Sequence, residues 1–220
     1  MTEHQENESP CGPRRGRPPK GSEDARRKAL LAAAEDVFLE KGLAASMDDI
    51  AKRAGVSKKT IYACTPTKES LFAGIIRARI ENSQLHDLPD KVADLRALED
   101  ALVLFFVELA RFVLSPPSVN LYRLVAAEAA RFPELARTYY NEGPACVINI
   151  VGTWLAARVR EGWIALDDPN EAAAILGGSI IAGPLRNLVL GVAPPDMEVA
   201  IERRARTTVQ YFLKGAAVKR

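Results

Sequence analysis

The sequence has few cysteines, few histidines and no long hydrophobic run, and each of these shortages excludes a class of protein. Three cysteines and two histidines, widely spaced among 220 residues, form neither a disulfide framework nor a metal-binding pattern. The two longest uncharged stretches, 143–157 and 172–185, contain 15 and 14 residues, fewer than the ~18–20 apolar residues that span a bilayer. The first 20 residues contain no apolar run that would act as a signal peptide. We therefore expect a cytoplasmic protein with no membrane segment.

A large net charge is also lacking, because 30 Lys and Arg residues face 28 Asp and Glu residues. The charges are nevertheless unevenly distributed along the chain. Five bases and no acid lie between residues 52 and 68, and seven bases face two acids between residues 11 and 30. Local excesses of positive charge of this kind indicate phosphate binding, although a basic run alone is also typical of a solvated surface.

Helical periodicity, capping residues and prolines predict an all-α fold. The first 22 residues contain no hydrophobic period and are predicted to form a disordered basic arm. Ser22 is a predicted helix N-cap, after which apolar residues recur at helical spacing as far as Gly42. Shorter helices are predicted to begin near residues 46, 57 and 67. Long helices are predicted at about 90–114, 118–131, 134–162, 168–191 and 196–214, with an interruption or kink at Gly143–Pro144.

Residues 46–62 have the spacing of a helix-turn-helix motif. Ala51 occupies the point where the two helices cross, and Gly55 supplies the left-handed turn between them. Ile61, together with Ile50 and Val56, holds the second helix against the first. The polar residues Lys58, Lys59, Thr60 and Tyr62 are then left on the outer face, and a short helix with such a face suits the major groove of DNA.

Residues 25–75, and above all MDDIAKRAGVSKKTIY followed by PTKESLF, closely resemble the DNA-binding domain of tetracycline-repressor-like (TetR) transcriptional regulators. The stretch YRLVAAEAARFPELARTYYNEGP (122–144) is similar to the ligand-binding part of a subset of that family. The resemblance implies a homodimer, usually a repressor, that leaves a DNA operator when a small-molecule effector binds its C-terminal domain. It implies a DNA-binding domain at residues 23–67 and a ligand-binding and dimerisation domain at residues 68–220.

The resemblance also implies roles for individual residues. Ser46 would contact a phosphate with its hydroxyl, and Lys68 would meet a phosphate beside the N-terminus of the fourth helix. An alternative assignment is a helix cap for Ser46 and a surface charge for Lys68. Lys58, Lys59 and Thr60 would approach base edges, and Tyr62 would contact the DNA backbone. In the arm, Arg15-Gly16-Arg17-Pro18 matches the core of an AT-hook, so Arg14, Arg15 and Arg17 are candidate contacts to phosphates or to the minor groove.

The sequence departs from the family pattern at Ala63, Cys64 and Thr65. Family members commonly have an aromatic residue or histidine near position 64 and a phenylalanine immediately before the proline. Without that phenylalanine, the packing between the first and fourth helices would lose about 2–4 kcal/mol unless the site collapses. Cys64 lies near two lysines and a helix N-terminus, which suggests redox sensing; the alternative is a small apolar residue.

The C-terminal half offers candidates for a ligand cavity and for a subunit interface. The candidate ligand-binding residues combine an apolar body with a polar tip or line the predicted bundle; they are Phe106, Tyr122, Asn149, Trp154 and Arg186. Core packing is the alternative for each of them, and Arg186 has Glu128 as a candidate carboxylate partner. The candidate interface residues are Gly177, Gly178, Ser179, Ala182, Gly183, Val199, Ile201, Val209 and Phe212, for which intrachain packing is the alternative.

Three classes of function are compatible with a helical, locally basic chain. The sequence contains no Ser/His/Asp set, phosphate-cradling glycine loop or metal-ligand spacing, so we expect neither an enzyme nor a cofactor. An architectural DNA-binding protein would use the arm and the helix-turn-helix alone, but it has no need of the aromatic-rich C-terminal 150 residues. A ligand-responsive, dimeric transcriptional regulator accounts for both halves of the chain.

Overall fold

The computed structural model of the protein describes residues 20–83, 85–192 and 196–216, with side chains from Asp24 onwards. This part of the chain is helical and contains no β-strand, which confirms the predicted all-α class. The helices are α1 (Lys20–Lys41), α2 (Met47–Arg53), α3 (Lys58–Cys64), α4 (Lys68–Glu81), α5 (Leu95–Val113), α6 (Pro116–Glu128), α7 (Pro133–Glu142), α8 (Pro144–Arg160), α9 (Pro169–Val189) and α10 (Met197–Ala216).

Caps and prolines set most of the helix boundaries. Prolines occupy the first turn of each helix from α6 to α9, where a missing N–H costs nothing. Gly143 separates α7 from α8 with φ −109° and ψ −94°, so the predicted interruption of the long third helix is confirmed. The predicted N-cap at Ser22 is wrong, because α1 already begins at Lys20, directly after Pro19, the residue that ends the proline-rich sequence.

Helices α1–α4 form the N-terminal part, which we call the head, and its apolar core continues into α6 and α7. Phe38 of α1 and Phe72 of α4 are fully buried and meet edge to face with their ring centroids 5.5 Å apart. Leu121, Val125 and Leu135 from α6 and α7 belong to the same apolar cluster. The rings of Phe38 and Phe72 fill the space between α1 and α4, even though Thr65 stands before Pro66 where the family commonly has a phenylalanine.

Helices α5, α8, α9 and α10 enclose a second apolar core. Helix α10 packs chiefly on α5, and this contact buries Ile201 and Val209 to 4% and 0% exposure. The prediction that these two residues face a partner subunit is wrong, because the inward stripe of α10 is used within the chain. Val199 on the other side of the helix is 56% exposed.

Polar contacts also join α4 of the head to α1, α6 and α7. Arg79 of α4 donates to Glu35 of α1 at 2.5 Å and to Ser118 of α6 at 2.7 Å, in a partly buried position. Arg77 of α4 donates from Nε to Glu142 of α7 at 2.7 Å. Helix α4 is thus tied by arginines to three other helices.

Candidate nucleic-acid interface

Helices α2 and α3 form the predicted helix-turn-helix. Gly55 in the turn has φ +65°, a conformation that residues with a Cβ rarely adopt. The Val56 N–H donates to the Ala51 carbonyl at 3.0 Å, which closes the turn. Helix α3 is anchored by Ile61, which is completely buried, and is capped by Ser57, whose Oγ accepts from the Thr60 N–H at 3.1 Å.

The outer face of α3 is polar and accessible. Lys58, Lys59, Thr60 and Tyr62 are all exposed, with Tyr62 at 48%. Lys58 forms an ion pair with Asp48 of α2, and this carboxylate raises the pKa of the Lys58 ammonium. Lys58 is therefore held by Asp48, whereas Lys59 has no ion pair among the described residues.

Ser46 is bound within the head as the N-cap of α2. Its hydroxyl donates to Asp49 Oδ2 at 2.6 Å, and its Oγ accepts from the Asp49 N–H at 3.1 Å. The Ser46 N–H donates to the same carboxylate at 3.0 Å, which completes a capping box. Because the only hydroxyl proton is already donated, this geometry favours the cap over a phosphate contact.

Lys68 lies at the N-terminus of α4, but its ammonium is turned towards aromatic rings. The Lys68 Nζ atom is 5.1 Å from the ring centroid of Phe132 and 5.9 Å from that of Phe38. Burial lowers the pKa of Lys68, while the nearby carboxylates of Glu69 and Glu128 act in the opposite direction.

The arm candidates Arg14, Arg15 and Arg17 lie outside the described residues.

The three departures from the family pattern end α3. Ala63 and Cys64 are exposed, and Thr65 is half-buried. The Thr65 hydroxyl and N–H both contact the Ile61 carbonyl, at 3.2 Å and 2.8 Å. Thr65 thus terminates the helix that carries the polar face.

The structure does not bring the five ligand candidates together. Phe106 is fully buried beside Phe105, and Trp154 donates from Nε1 to the Pro89 carbonyl at 2.7 Å. Asn149 and Arg186 are exposed, so the expected core partner for Arg186 is not found. Tyr122 is half-buried, with its ring 6.2 Å from that of Tyr139.

Two grooves lie elsewhere in the described chain, between α5 and α10. They have volumes of about 460 Å³ and 760 Å³, and none of the five candidates lines either of them. Val103, Leu104 and Val199 give the smaller groove apolar walls, and Arg203 and Arg206 give it positive charge.

Arg158 is a buried charge that sequence reasoning missed. It is 1% exposed, its guanidinium lies 4.7 Å from the Trp154 ring centroid, and its Nε has no acceptor. Its Nη2 donates to the Asp90 carbonyl at 2.6 Å and to Glu161 at 2.9 Å, and its Nη1 donates to the Pro89 carbonyl at 3.3 Å. The signal was its spacing, because Arg158 follows Val151, Trp154 and Leu155 on one helical stripe.

Comparison with known proteins gives separate matches for the N-terminal and the C-terminal part of the chain. Residues 30–75 match the family described as "Bacterial regulatory proteins, tetR family", and residues 100–215 match "AefR-like transcriptional repressor, C-terminal domain". In structure, the chain is similar to the "Flavonoid-responsive Regulator FrrA", with 35% identity, a TM-score of 0.74 and coverage of 90% of this chain and 100% of that one.

Two curated relatives differ in how much of the chain they match. The transcriptional regulator BetI of Rhizobium meliloti is 28% identical over 88% of this chain and 91% of its own length. The transcriptional activator FasR of Mycolicibacterium smegmatis is 43% identical over 60 residues, which are 27% of each chain.

Proposed function

The chain belongs to the TetR family of bacterial transcriptional regulators, which are not enzymes, and on this basis we propose that it is a homodimeric repressor that a small-molecule ligand releases from its operator. The observation that carries the proposal is the exposed polar face of α3, held in place by buried Ile61. We assign DNA binding to residues 23–67, with the arm at 1–22 as an accessory contact, and ligand binding and dimerisation to residues 68–220.

The proposed DNA contacts are divided by chemistry. Lys58, Lys59 and Thr60 are assigned to base edges in the major groove, where lysines and hydroxyls bind acceptor atoms. Tyr62 and Lys68 are assigned to phosphates, and the arm residues Arg14, Arg15 and Arg17 to phosphates or the minor groove. Two such heads in a dimer would contact half-sites about one DNA turn, ~34–36 Å, apart.

The proposed effector is an apolar, aromatic small molecule. FrrA, which matches 90% of this chain, is described as flavonoid-responsive, and flavonoids are therefore the first class to test. A ligand that releases the operator has to bind the DNA-free conformation more tightly than the DNA-bound one. Helix α4 supports such coupling, because Arg77 and Arg79 tie it both to α7 and to α1 and α6.

The proposed homodimer is supported by the outer face of α9. Ile175 is 58% exposed, and Gly178, Ser179 and Ala182 are exposed on the same side of the helix. A row of small residues with one large apolar residue allows two helices to approach closely.

The test is binding to a palindromic duplex from the region upstream of the protein's own coding sequence, titrated with salt. The wild type is compared with the double variant Lys58→Ala/Tyr62→Phe and with the control Lys91→Ala, which removes an exposed charge next to α5. We expect selective, nanomolar binding that only the double variant loses, and release by a flavonoid. Equal and weak binding of every sequence by all three proteins would contradict the proposal and favour an architectural protein.

A further inference from the structure

The junction between α6 and α7 (residues 128–133) contacts the head at two points. At the first point, Glu128 Oε2 accepts from the Leu43 N–H at 3.0 Å, in the turn between α1 and α2. Gly42 in that turn has φ +79°, and a Cβ placed on it would lie 2.4 Å from Glu128 Oε1. The carboxylate therefore lies directly against the backbone of the turn.

The second point is the aromatic surroundings of Lys68. Phe132, the last residue of the junction before Pro133, places its ring centroid 5.1 Å from the Lys68 Nζ atom. The ring of Phe38 in α1 lies 5.9 Å from the same atom. Both distances are within the range at which an ammonium is attracted to the face of an aromatic ring. Phe132 is itself part of the ligand-binding half of the chain, and Lys68 is a proposed phosphate contact.

We propose that Phe132 is a positioning residue that holds the Lys68 ammonium away from DNA, so that the junction and a DNA phosphate compete for one cation. This inference rests on the proposed DNA-binding function. An ammonium that lies over two rings has lost part of its hydration, and it has to leave Phe132 before it makes a direct contact with a phosphate. A movement of the junction that separates Phe132 from Lys68 would therefore strengthen DNA binding, and a movement that keeps them together would weaken it.

The competition makes a quantitative prediction about salt dependence. Each phosphate that a protein neutralises adds about 0.9 to the slope of log Kobs against log salt concentration. Phe132→Leu removes the aromatic face and keeps an apolar side chain, so Lys68 is released to DNA. We expect tighter binding and a slope that is steeper by about 0.9 for each additional phosphate contact, or about 1.8 for a dimer with two such lysines.

The experiment measures this slope on a 30-base-pair duplex of unrelated sequence and on the upstream duplex. Phe132→Tyr is the matched control, because it retains an aromatic face and should keep the wild-type slope. In the Lys68→Met background, Phe132→Leu should change neither affinity nor slope. Weaker binding by Phe132→Leu, an unchanged slope, or an effect that persists without Lys68 would overturn the inference.

A measurement on the unsubstituted protein does not depend on how well the variants fold. The side-chain methylene protons of Lys68 lie beside two rings, so their NMR signals should be shifted upfield. Adding the duplex should reduce that shift without abolishing it, because Phe132 retains part of the ammonium population in the wild-type complex. Complete loss of the shift in the DNA complex, or no upfield shift in the free protein, would overturn the inference. A phosphate contact is independent of sequence, so it should form on either duplex. If the protein binds the unrelated duplex but shows no selectivity for the upstream duplex, the proposed operator is wrong and the inference stands. If the protein binds selectively and Phe132→Leu has no effect, the inference is wrong and the proposed function stands.

Discussion

Individual polar side chains of the head are bonded to one another. The Ser46 hydroxyl and the Asp49 carboxylate bond each other's backbone N–H, and Lys41 donates to Asp49 at 2.6 Å. The Lys41 ammonium, followed by Ser46, holds the pKa of Asp49 well below its usual range. The first turn of α2 is therefore fixed before DNA arrives, and its contribution to DNA binding is the orientation of the motif.

Ser46→Ala should reduce stability more than it reduces DNA affinity. The substitution removes the side-chain acceptor for the Asp49 N–H, and loss of an N-cap costs about 0.5–2 kcal/mol of folding free energy. Urea denaturation followed by circular dichroism measures this loss, and Ser46→Thr, which keeps an Oγ, should remain close to the wild type. A Ser46→Ala protein with wild-type stability and weakened DNA binding would instead assign the hydroxyl to a phosphate.

At the scale of helices, α4 and α7 are joined by one ion pair that spans the head and the ligand-binding half. Arg77 donates to the Glu142 carboxylate, and this hydrogen bond lowers the pKa of Glu142. Because the folded pKa is the lower one, the pair contributes stability above the pKa of the unfolded state, about 4.3. That contribution is lost as the pH falls through the folded pKa.

Glu142→Gln should therefore be less stable than the wild type at pH 7, and the difference should shrink as the pH falls from 5 to 3. The difference at pH 7 should be below about 1 kcal/mol, since the Arg77 side chain is 57% exposed and solvent screens the pair. Urea denaturation at pH 7, 5 and 3 measures it. Glu134→Gln is the matched control, because Glu134 pairs with Arg137 inside α7. A Glu142 difference that does not depend on pH would show that packing, not charge, joins the two helices.

Helix limits could be predicted from the sequence because they depend on local chemistry. Prolines lie in the first turn of each helix from α6 to α9, Asp168 caps α9, and Gly143 separates α7 from α8, all within reach of sequence reasoning. The helix-turn-helix was equally accessible, because the spacing from Ala51 to Ile61 is itself a packing constraint. The start of α1 was misplaced, since polar residues before Asp24 have no period that marks a helix, and the helix predicted from about residue 90 begins only at Leu95.

The partners of long side chains could not be predicted, because they come from distant parts of the chain. Phe132 is 64 residues from Lys68, and Glu128 is 85 residues from Leu43. No local pattern joins such pairs. The same reason explains Ile201 and Val209, since an apolar stripe does not indicate whether α5 of the same chain or a second subunit covers it.

At the scale of the whole molecule, α9 presents an apolar face that the described chain does not cover. Helix α9 is long and apolar enough to pass as a membrane span, which for a single helix is weak evidence, and only 17% of its most apolar 18 residues are buried within the described chain. One side packs on α8, where the added Cβ of a Gly152 substitution would lie 1.9 Å from Asn170. The opposite side carries Ile175, Gly178 and Ala182, which are exposed. The small residues on this face allow α9 of a second subunit to pack closely against it.

Ile175→Asp should therefore convert a dimer into a monomer. A carboxylate at the centre of the α9 face would have to be buried opposite its own symmetry copy, where the repulsion of like charges adds to the loss of hydration. Light scattering after size-exclusion chromatography measures the mass, and the monomer should bind the palindromic duplex less tightly because only one head is then held to it. Leu104→Asp is the matched control: Leu104 is 52% exposed and lines the groove between α5 and α10, so its substitution should leave the dimer intact. If Ile175→Asp remains dimeric while Leu104→Asp dissociates, the subunits meet across the groove between α5 and α10, and the α9 face has to be assigned to another partner.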